Sequence, residues 1–392
     1  MADYLLYILG IIFRIINDTA SFWLPVVLVF IFWKVWLSYV RADWVSRMKW
    51  TLLEVKLPKE VFKTPMAMEL VLNGLQQPSG GNKWDQYWKG RVPDWFSFEL
   101  VSIEGTIRVY IRALSKYKNI IEAHVYSQYP EAIISESADY TENMPWSNES
   151  AISLWGSEFA LTKEDPYPIK TYVDYGMDKG YVDEKQRIET MAPTLEFLGS
   201  LQKGEQVWIQ ILVRATRGDG WKAEGKEIIK KLMHRDDKDS DKAVTTRLTK
   251  GETDVINAIE RSISKPAFEV GIRGLYFAEE GKFNPSNITA LLSTFKQYSS
   301  HNLNGFKPGW GLTVLDYPWD DFMDIRKKSI LKGLFDAYRL RSYFYAPYEH
   351  KPFVLNIEEL ATIFHFPSGI AETPTLTRVD SKRSEPPANL PV

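Results

Sequence analysis

The stretch SFWLPVVLVFIFWKVWLSYV, residues 21–40, limits what this chain can be more than any other feature. From Phe22 to Trp33 it is unbroken apolar, and Lys34 is the only charge before Arg41. Wound as a helix, its nineteen residues from Phe22 span roughly 28 Å, about the thickness of a bilayer's hydrocarbon core. A buried core helix or a secretory signal peptide would share such a run. A signal peptide, however, has a basic start and a small-residue cleavage site. Here Asp3 stands near the N-terminus and no A-x-A follows the run. The expectation is a transmembrane helix whose anchor residues are Trp23, Trp33, Lys34, Trp36 and Arg41. Trp23 near one end, and Trp33, Trp36 and Tyr39 near the other, suit the two aromatic belts, and Lys34 can snorkel to the headgroups. Upstream, YLLYILGIIFRIIN (Tyr4–Asn17) is shorter and holds Arg14, so it is expected to form an interfacial or re-entrant helix. Arg41, Arg47 and Lys49 follow the span closely, which by the positive-inside rule places the bulk of the chain in the cytoplasm.

The remaining length suits two or three domains within 392 residues. Apolar content of 45% and aromatic content of 14% exclude wholesale disorder. A formal net charge of −2 carries no global signal for nucleic acid. With no cysteine, disulfides, cysteine-based zinc sites and a thiol nucleophile are excluded.

From Trp50 the pattern becomes that of an α+β body. Trp50–Pro58 reads as a strand, and Thr64–Gln76 as a helix with Thr64 at its N-cap and Pro65 at its first position. FSFELVS and RVYIRAL flank Glu104-Gly105, a hairpin signal. Lys116–Tyr129 has helical spacing, and Glu131–Ser137 follows as a strand. The order β-α-β-β-α-β is that of a ferredoxin-like unit. A looser second copy has strands at Pro168–Gly176, Glu205–Thr216, Phe268–Glu279 and Gly311–Tyr317, with helices at Pro193–Leu201 and Asn284–Ser300. The expected layout is therefore a membrane anchor (1–45) and a first ferredoxin-like domain (46–150). A second domain (151–317) carries a helical insertion (222–264). A C-terminal helical region (318–370) and a linker-like, proline-containing tail (371–392) complete it.

Several motifs imitate chemistry. GWKAEGKE (Gly220–Glu227) matches G-x-x-x-x-G-K between a strand and a helix, but Glu227 stands where Ser or Thr should hold Mg²⁺. DDKDSDK (Asp236–Lys242) begins like a calcium loop, yet Lys242 replaces its glycine and Leu248 its terminal Glu. The five histidines show no zinc spacing. The basic run Arg326–Arg341 reads as an amphipathic helix with a solvated basic face, and it leaves direct contact with nucleic acid or anionic lipid open. NIEELATIFHFP has Asn356 and Glu359 at capping-box spacing, followed by an apolar stripe that ends at Pro367.

Taken together, WTLLEVKLPKEVFKTPMAMELVLNGL, FSFELVSIEGTIRVYIRA, LTKGETDVINAIERSISKPAFEVGIRGLYFA and FVLNIEELATIFHFP with the later PPANLP resemble the N-terminal, membrane-attached portion of bacterial type IV secretion and conjugation-like ATPases of the HerA/FtsK class. In such proteins the proline block leads into a P-loop motor. No motor follows it here, so the resemblance implies a non-catalytic inner-membrane anchor or scaffold that docks a separately encoded or split-off P-loop ATPase. It implies no cofactor and leaves homo-oligomerisation open. The expected docking residues are Glu358, Glu359, Phe364, His365 and Phe366, just ahead of the motor's place. Two other readings remain: a membrane-anchored nucleotide hydrolase using Gly220–Glu227, and a membrane scaffold unrelated to secretion.

Overall fold

The computed structural model describes residues 2–58, 63–78, 80–178, 189–233, 248–311, 321, 324–367 and 378–379. They fall into two compact units, Met1–Met48 with Ser79–Val92, and Lys49–Pro78 with Pro93–Val392.

The first unit is built on α1 (Ala2–Ser46), one unbroken helix that passes through Pro25. At 1.5 Å per residue it is roughly 68 Å long. The expected separate helix over Tyr4–Asn17 is therefore continuous with the span, because no residue from Ile15 to Ser21 is a helix breaker. Residues 79–92, which lie between helix α2 (Met66–Leu75) and strand β2 (Phe96–Ile103) in the chain, bring the short helix α3 (Lys83–Tyr87) to this unit.

The second unit is α+β, ordered around one sheet. Its further strands are β1 (Trp50–Pro58), β3 (Thr106–Leu114), β4 (Ile133–Glu136), β5 (Ser153–Leu161), β6 (Glu205–Ala215), β7 (Ala267–Ala278), β8 (Phe306–Gly311), β9 (Phe353–Asn356) and β10 (Arg378–Val379). Its further helices are α4 (Lys118–Gln128), α5 (Ala192–Gly199), α6 (Gly220–Leu232), α7 (Lys250–Ser264), α8 (Pro285–Lys296), α9 (Ile325–Leu340) and α10 (Ile357–Ile363). The central strand order is β1-β3-β2-β6-β7-β5-β8, with β4 on β1 and β9 on β7. All these pairs are antiparallel; only β10 runs parallel to its neighbour β1.

The first half of the sheet reads β4-β1-β3-β2 and the second β8-β5-β7-β6. Counted along the chain, each half follows the order 4-1-3-2. The halves join through the second strand of each, β2 and β6, which pair from Phe96↔Val213 to Ile103↔Gln206. A boundary at residue 150 thus divides the chain but not the sheet. The Glu104-Gly105 turn has φ of 52° and 83° at its two residues, the left-handed pair that a tight two-residue hairpin demands.

Two expected strands move. Residues 168–176 form no strand, with turns from 172 onward, and the opening strand of the second half is β5, whose apolar alternation is broken by Gly156 and Glu158. The closing strand lies at Phe306–Gly311, and 312–317 fall outside the described residues. Helix α2 starts one residue late, with Pro65 at its cap position and no side-chain cap.

Strand alternation sends Leu53, Phe98, Val109, Ile209 and Ile272 to one face, where α2, α4, α5, α8 and α10 cover them. Each fully buried Leu, Ile or Phe there contributes about 1.5–3 kcal/mol. The opposite face carries Val101, Trp208 and Leu275 under α9, through Leu331, Leu334, Phe335 and Tyr338. Helices α6 and α7 sit in the connection between β6 and β7 and pack on each other through Ile229, Ile256 and Ile259. The calcium-loop mimic Asp236–Lys242 between them lies outside the described residues.

Candidate functional site

Three places concentrate polar or exposed side chains beyond what a core needs. The first is α1. It is the one helix among the described residues long and apolar enough to cross a membrane, with a span at Asn17–Ser46 whose most apolar window has a mean hydropathy of 1.9 and no buried residue. Trp23 and Trp33 are 41% and 38% exposed, and Lys34 stands out beside the Phe30 ring, 4.8 Å from its centroid. Trp36 is half-buried because its indole N–H donates to the Tyr87 carbonyl at 3.2 Å. Arg41 is half-buried one turn further on.

The second is a polar row inside the sheet. Tyr110, Glu99, Gln210, Arg273 and Glu158 are register partners across β3, β2, β6, β7 and β5, so they share one face. Glu99 is fully buried and its carboxylate accepts from Ser97, Gln210, Tyr140 and Arg341, the last through Nε and Nη2 at 3.0 and 3.1 Å. Burial alone would raise its pKa, but the Arg341 guanidinium and the hydroxyl donors outweigh this and hold it below the ordinary value. Arg341 caps α9 in a left-handed conformation (φ 51°) and also binds Asp139 with Nη2 at 3.1 Å. It thereby ties α9 to the β2–β6 seam.

At the other end of the row the balance reverses. Arg273 donates from Nη2 to the Ser342 carbonyl at 2.8 Å and lies 3.0 Å from Glu158 Oε1, but its Nε and Nη1 have no hydrogen-bond partner. Glu158 lines a cleft of about 710 Å³ with Asp165, Lys163, Lys307, His350 and Tyr343. Burial pushes the Glu158 carboxyl up to about 7, which Arg273 only partly offsets. Burial raises Asp165 to about 6 against one backbone hydrogen bond from Val354. Burial and Arg273 together hold His350 below its ordinary value. The cleft therefore changes charge near neutral pH.

The third is the segment from β9 through α10 to Phe366. Asn356 caps α10 and forms a reciprocal capping box with Glu359. The two carboxylate oxygens of Glu359 accept the backbone N–H groups of Ile169 and Asn356, each at 2.9 Å. Glu358 accepts from Thr171 at 2.6 Å and Lys265 at 2.8 Å, with Arg261 3.3 Å away. His365 sets Nδ1 against the Ala361 carbonyl (2.9 Å) and Nε2 against Glu189. Phe364 packs on Phe98 and Phe366 on Tyr129, at 4.9 and 4.8 Å between centroids.

A family profile described as "Domain of unknown function (DUF8128)" matches residues 42–378, most of the chain. The chain belongs to the DUF8128 family. No curated protein matches it. The DUF8128 match takes in all three sites except the part of α1 before residue 42.

For this DUF8128 chain two sequence expectations need correcting. Glu358, Glu359, Phe364, His365 and Phe366 are each no more than 2% exposed. Their side chains are interior and cannot by themselves form a docking surface: a short helix ahead of a linker gains more by burial against α2 and the sheet than by waiting for a partner. The phosphate-loop mimic is also closed. Helix α6 begins at Gly220, and the Ala223 amide already donates to the Asp219 carbonyl at 2.9 Å. Residues that a P-loop must leave open as a cradle are wound into helix, so Gly220–Glu227 does not support nucleotide hydrolysis. In the basic run, Lys327, Lys328, Lys332 and Arg339 are exposed while Arg341 is buried. Among the described residues no three His, Asp or Glu side chains are grouped to hold a metal ion. The polar row went unread in the sequence. Its signal was a charged or amide side chain in the middle of each largely apolar strand: Glu99, Gln210, Arg273 and Glu158.

Proposed function

We propose that this chain is a non-catalytic membrane anchor and scaffold. Helix α1 holds the α+β body at the bacterial inner membrane, on the cytoplasmic side, and the body docks a P-loop ATPase of the secretion or DNA-translocation type. The observation that carries the anchor is the exposed apolar surface of α1 from Phe22 to Val35, where Phe22, Val26 and Val29 are 81%, 68% and 67% uncovered. Orientation rests on Arg41, Arg47 and Lys49. The ATPase partner rests on the resemblance of the four quoted blocks. We read each half of the sheet as a ferredoxin-like unit on the strength of its 4-1-3-2 order.

Since α10 is interior, its role in this reading is to order the body from which the tail departs. The tail, not α10, then meets the motor. The test has two arms. A reporter fused after Arg47 in the native host reports cytoplasm; a periplasmic signal reverses the orientation. Affinity capture of the full chain from detergent-solubilised membranes, with the bound proteins sequenced, returns a P-loop ATPase. Capture that repeatedly lacks one leaves the anchor standing and removes the ATPase.

A further inference from the structure

We propose that residues 80–92 form a second membrane-contacting element, an aromatic foot seated on α1 whose apolar rings enter the headgroup region of the lipid bilayer. The proposal rests on the reading of α1 as a membrane span. Residues 79–92 cluster with α1 rather than with the sheet. Asn82 caps α3 by accepting from the Asp85 amide at 2.9 Å, which sets the short helix. Tyr87 and Trp88 then pack on Trp33 at 5.9 and 6.4 Å between ring centroids, and Trp88 packs on Trp36 at 5.9 Å. Gly90 completes the seat. Its φ is +68°, and a Cβ on it would lie 2.1 Å from the Val40 carbonyl oxygen, so only glycine lets the backbone come this close to α1.

Seated in this way, the foot still leaves large rings uncovered: Trp84 is 61% exposed, Trp88 49% and Tyr87 38%. Trp84 packs on Trp88 at 5.3 Å between ring centroids, tilted by 32°, so the exposed rings form one surface. That surface continues the uncovered side chains of α1 at Trp33, Val35 and Tyr39, where aliphatic residues give way to Trp and Tyr. Trp and Tyr pair an apolar ring with one polar group, the combination favoured at the interface of a bilayer. Lys83 and Lys89 on the same element are exposed; Lys89 is bridged to Asp85 at 2.8 Å, and Lys83 is the cation that suits anionic headgroups. Continuity with the span and this ring-plus-lysine chemistry favour lipid over a protein partner. Two contacts with one bilayer would also fix the rotation of α1 about its own axis.

Because the chain has no cysteine, single substitutions place a spin label without background. The full chain is reconstituted in vesicles of phosphatidylcholine and phosphatidylglycerol. Labels are set at Trp84→Cys, at Lys83→Cys as a second reporter on the same helix, at Val29→Cys in the span, and at Lys226→Cys in the body. Collision with oxygen and with a water-soluble nickel chelate reads depth. The proposal expects the labels at 83 and 84 to collide several-fold more with oxygen and less with nickel than the label at 226, and to lie shallower than the label at 29. If the label at 29 is deep while those at 83 and 84 match 226, the foot is wrong and the span stands. If the label at 29 also reads as aqueous, the span reading fails and takes the foot with it. Lipid-independent shielding at 84, or dipolar broadening between two copies, would assign the rings to a protein partner and overturn the proposal.

Discussion

Helices α1 and α10 reverse the inside-outside rule in opposite directions. Along α1, Phe22, Val26 and Val29 keep most of their surface uncovered; in α10, Glu358 and Glu359 keep 2% and 1%. Uncovered apolar surface on this scale is stable only in another apolar phase, and the length of the apolar run within α1, from Phe22 to Val40, matches a bilayer. Buried carboxylates are stable only when donors surround them. Glu358 has Thr171, Lys265 and Arg261; Glu359 has two backbone N–H groups. Composition alone ranks both helices wrongly for a soluble body. What decides each case is the surroundings. Helix α1 is left uncovered from Phe22 to Phe32 and meets only the 80–92 segment, at Trp33, Trp36 and Val40. Helix α10 is enclosed, with charged partners at Glu358 and two backbone donors at Glu359 that offset only part of the burial that raises its carboxyl to about 8.

The largest effect that could break this contrast is the phase of the protein. The full chain is expected to resist carbonate extraction from membranes, and a chain lacking residues 2–46 to lose that resistance. Fractionation with immunodetection measures it, and a truncated form as resistant as the full chain would show that α1 is not the anchor. The next effect concerns the buried charges. Arg341→Ala leaves Glu99 ionised without its main partner and is expected to cost about 3–5 kcal/mol. Urea denaturation of the solubilised chain reads it, and a loss near zero would mean that the row is not structural.

Paired aromatic truncations sharpen the comparison directly. Phe364→Ala should remove about 3–5 kcal/mol from the body, as for other buried aromatics. Phe22→Ala, on an exposed position of α1, should leave the same denaturation curve unmoved. Equal losses would erase the distinction between the helices.

A smaller effect follows pH. Glu158 has an ordinary value of 4.5 and a folded value of about 7, so the fold binds this proton more tightly than the unfolded chain. Its contribution is full below 4.5 and is lost as pH rises through about 7, for a total of about 3 kcal/mol. Asp165, raised from 3.8 to about 6, acts in the same direction. His350 acts in the opposite direction: its folded value is lowered from 6.5, so its contribution is present above 6.5 and lost as pH falls through the folded value. Glu158→Gln is expected to flatten the fall in melting temperature between mildly acidic and mildly alkaline pH. An unchanged slope would remove Glu158 as its source. The smallest expected effect is none. Lys226→Ala should leave ATP binding as it is in the parent chain, and millimolar-range affinity that vanishes in this variant would reopen the nucleotide reading.

The sequence by itself determined what depends on local pattern. An apolar run of bilayer length marked α1, paired strands around Glu104-Gly105 marked a hairpin, and Asn356 with Glu359 marked the start of α10. Each of these is fixed by neighbours within a few residues, through helical rise, left-handed turn geometry or a cap reaching three residues on. Strand β5 was lost because Gly156 and Glu158 interrupt its alternation, and Glu158 is explained only by Arg273, which is more than a hundred residues away on β7. Only the tertiary structure decided that Glu99, Gln210, Arg273 and Glu158 form one row, since that needs the register of four strands at once. It alone decided that Glu358 and His365 are interior, because their partners Lys265, Arg261 and Glu189 come from distant segments. It alone seated α3 and Trp88 on α1, through a glycine contact that no periodicity encodes. A charged side chain reads as surface in sequence because its default partner is water. Folding replaces water with particular donors, and those donors are set by register and packing between parts of the chain that local pattern does not connect.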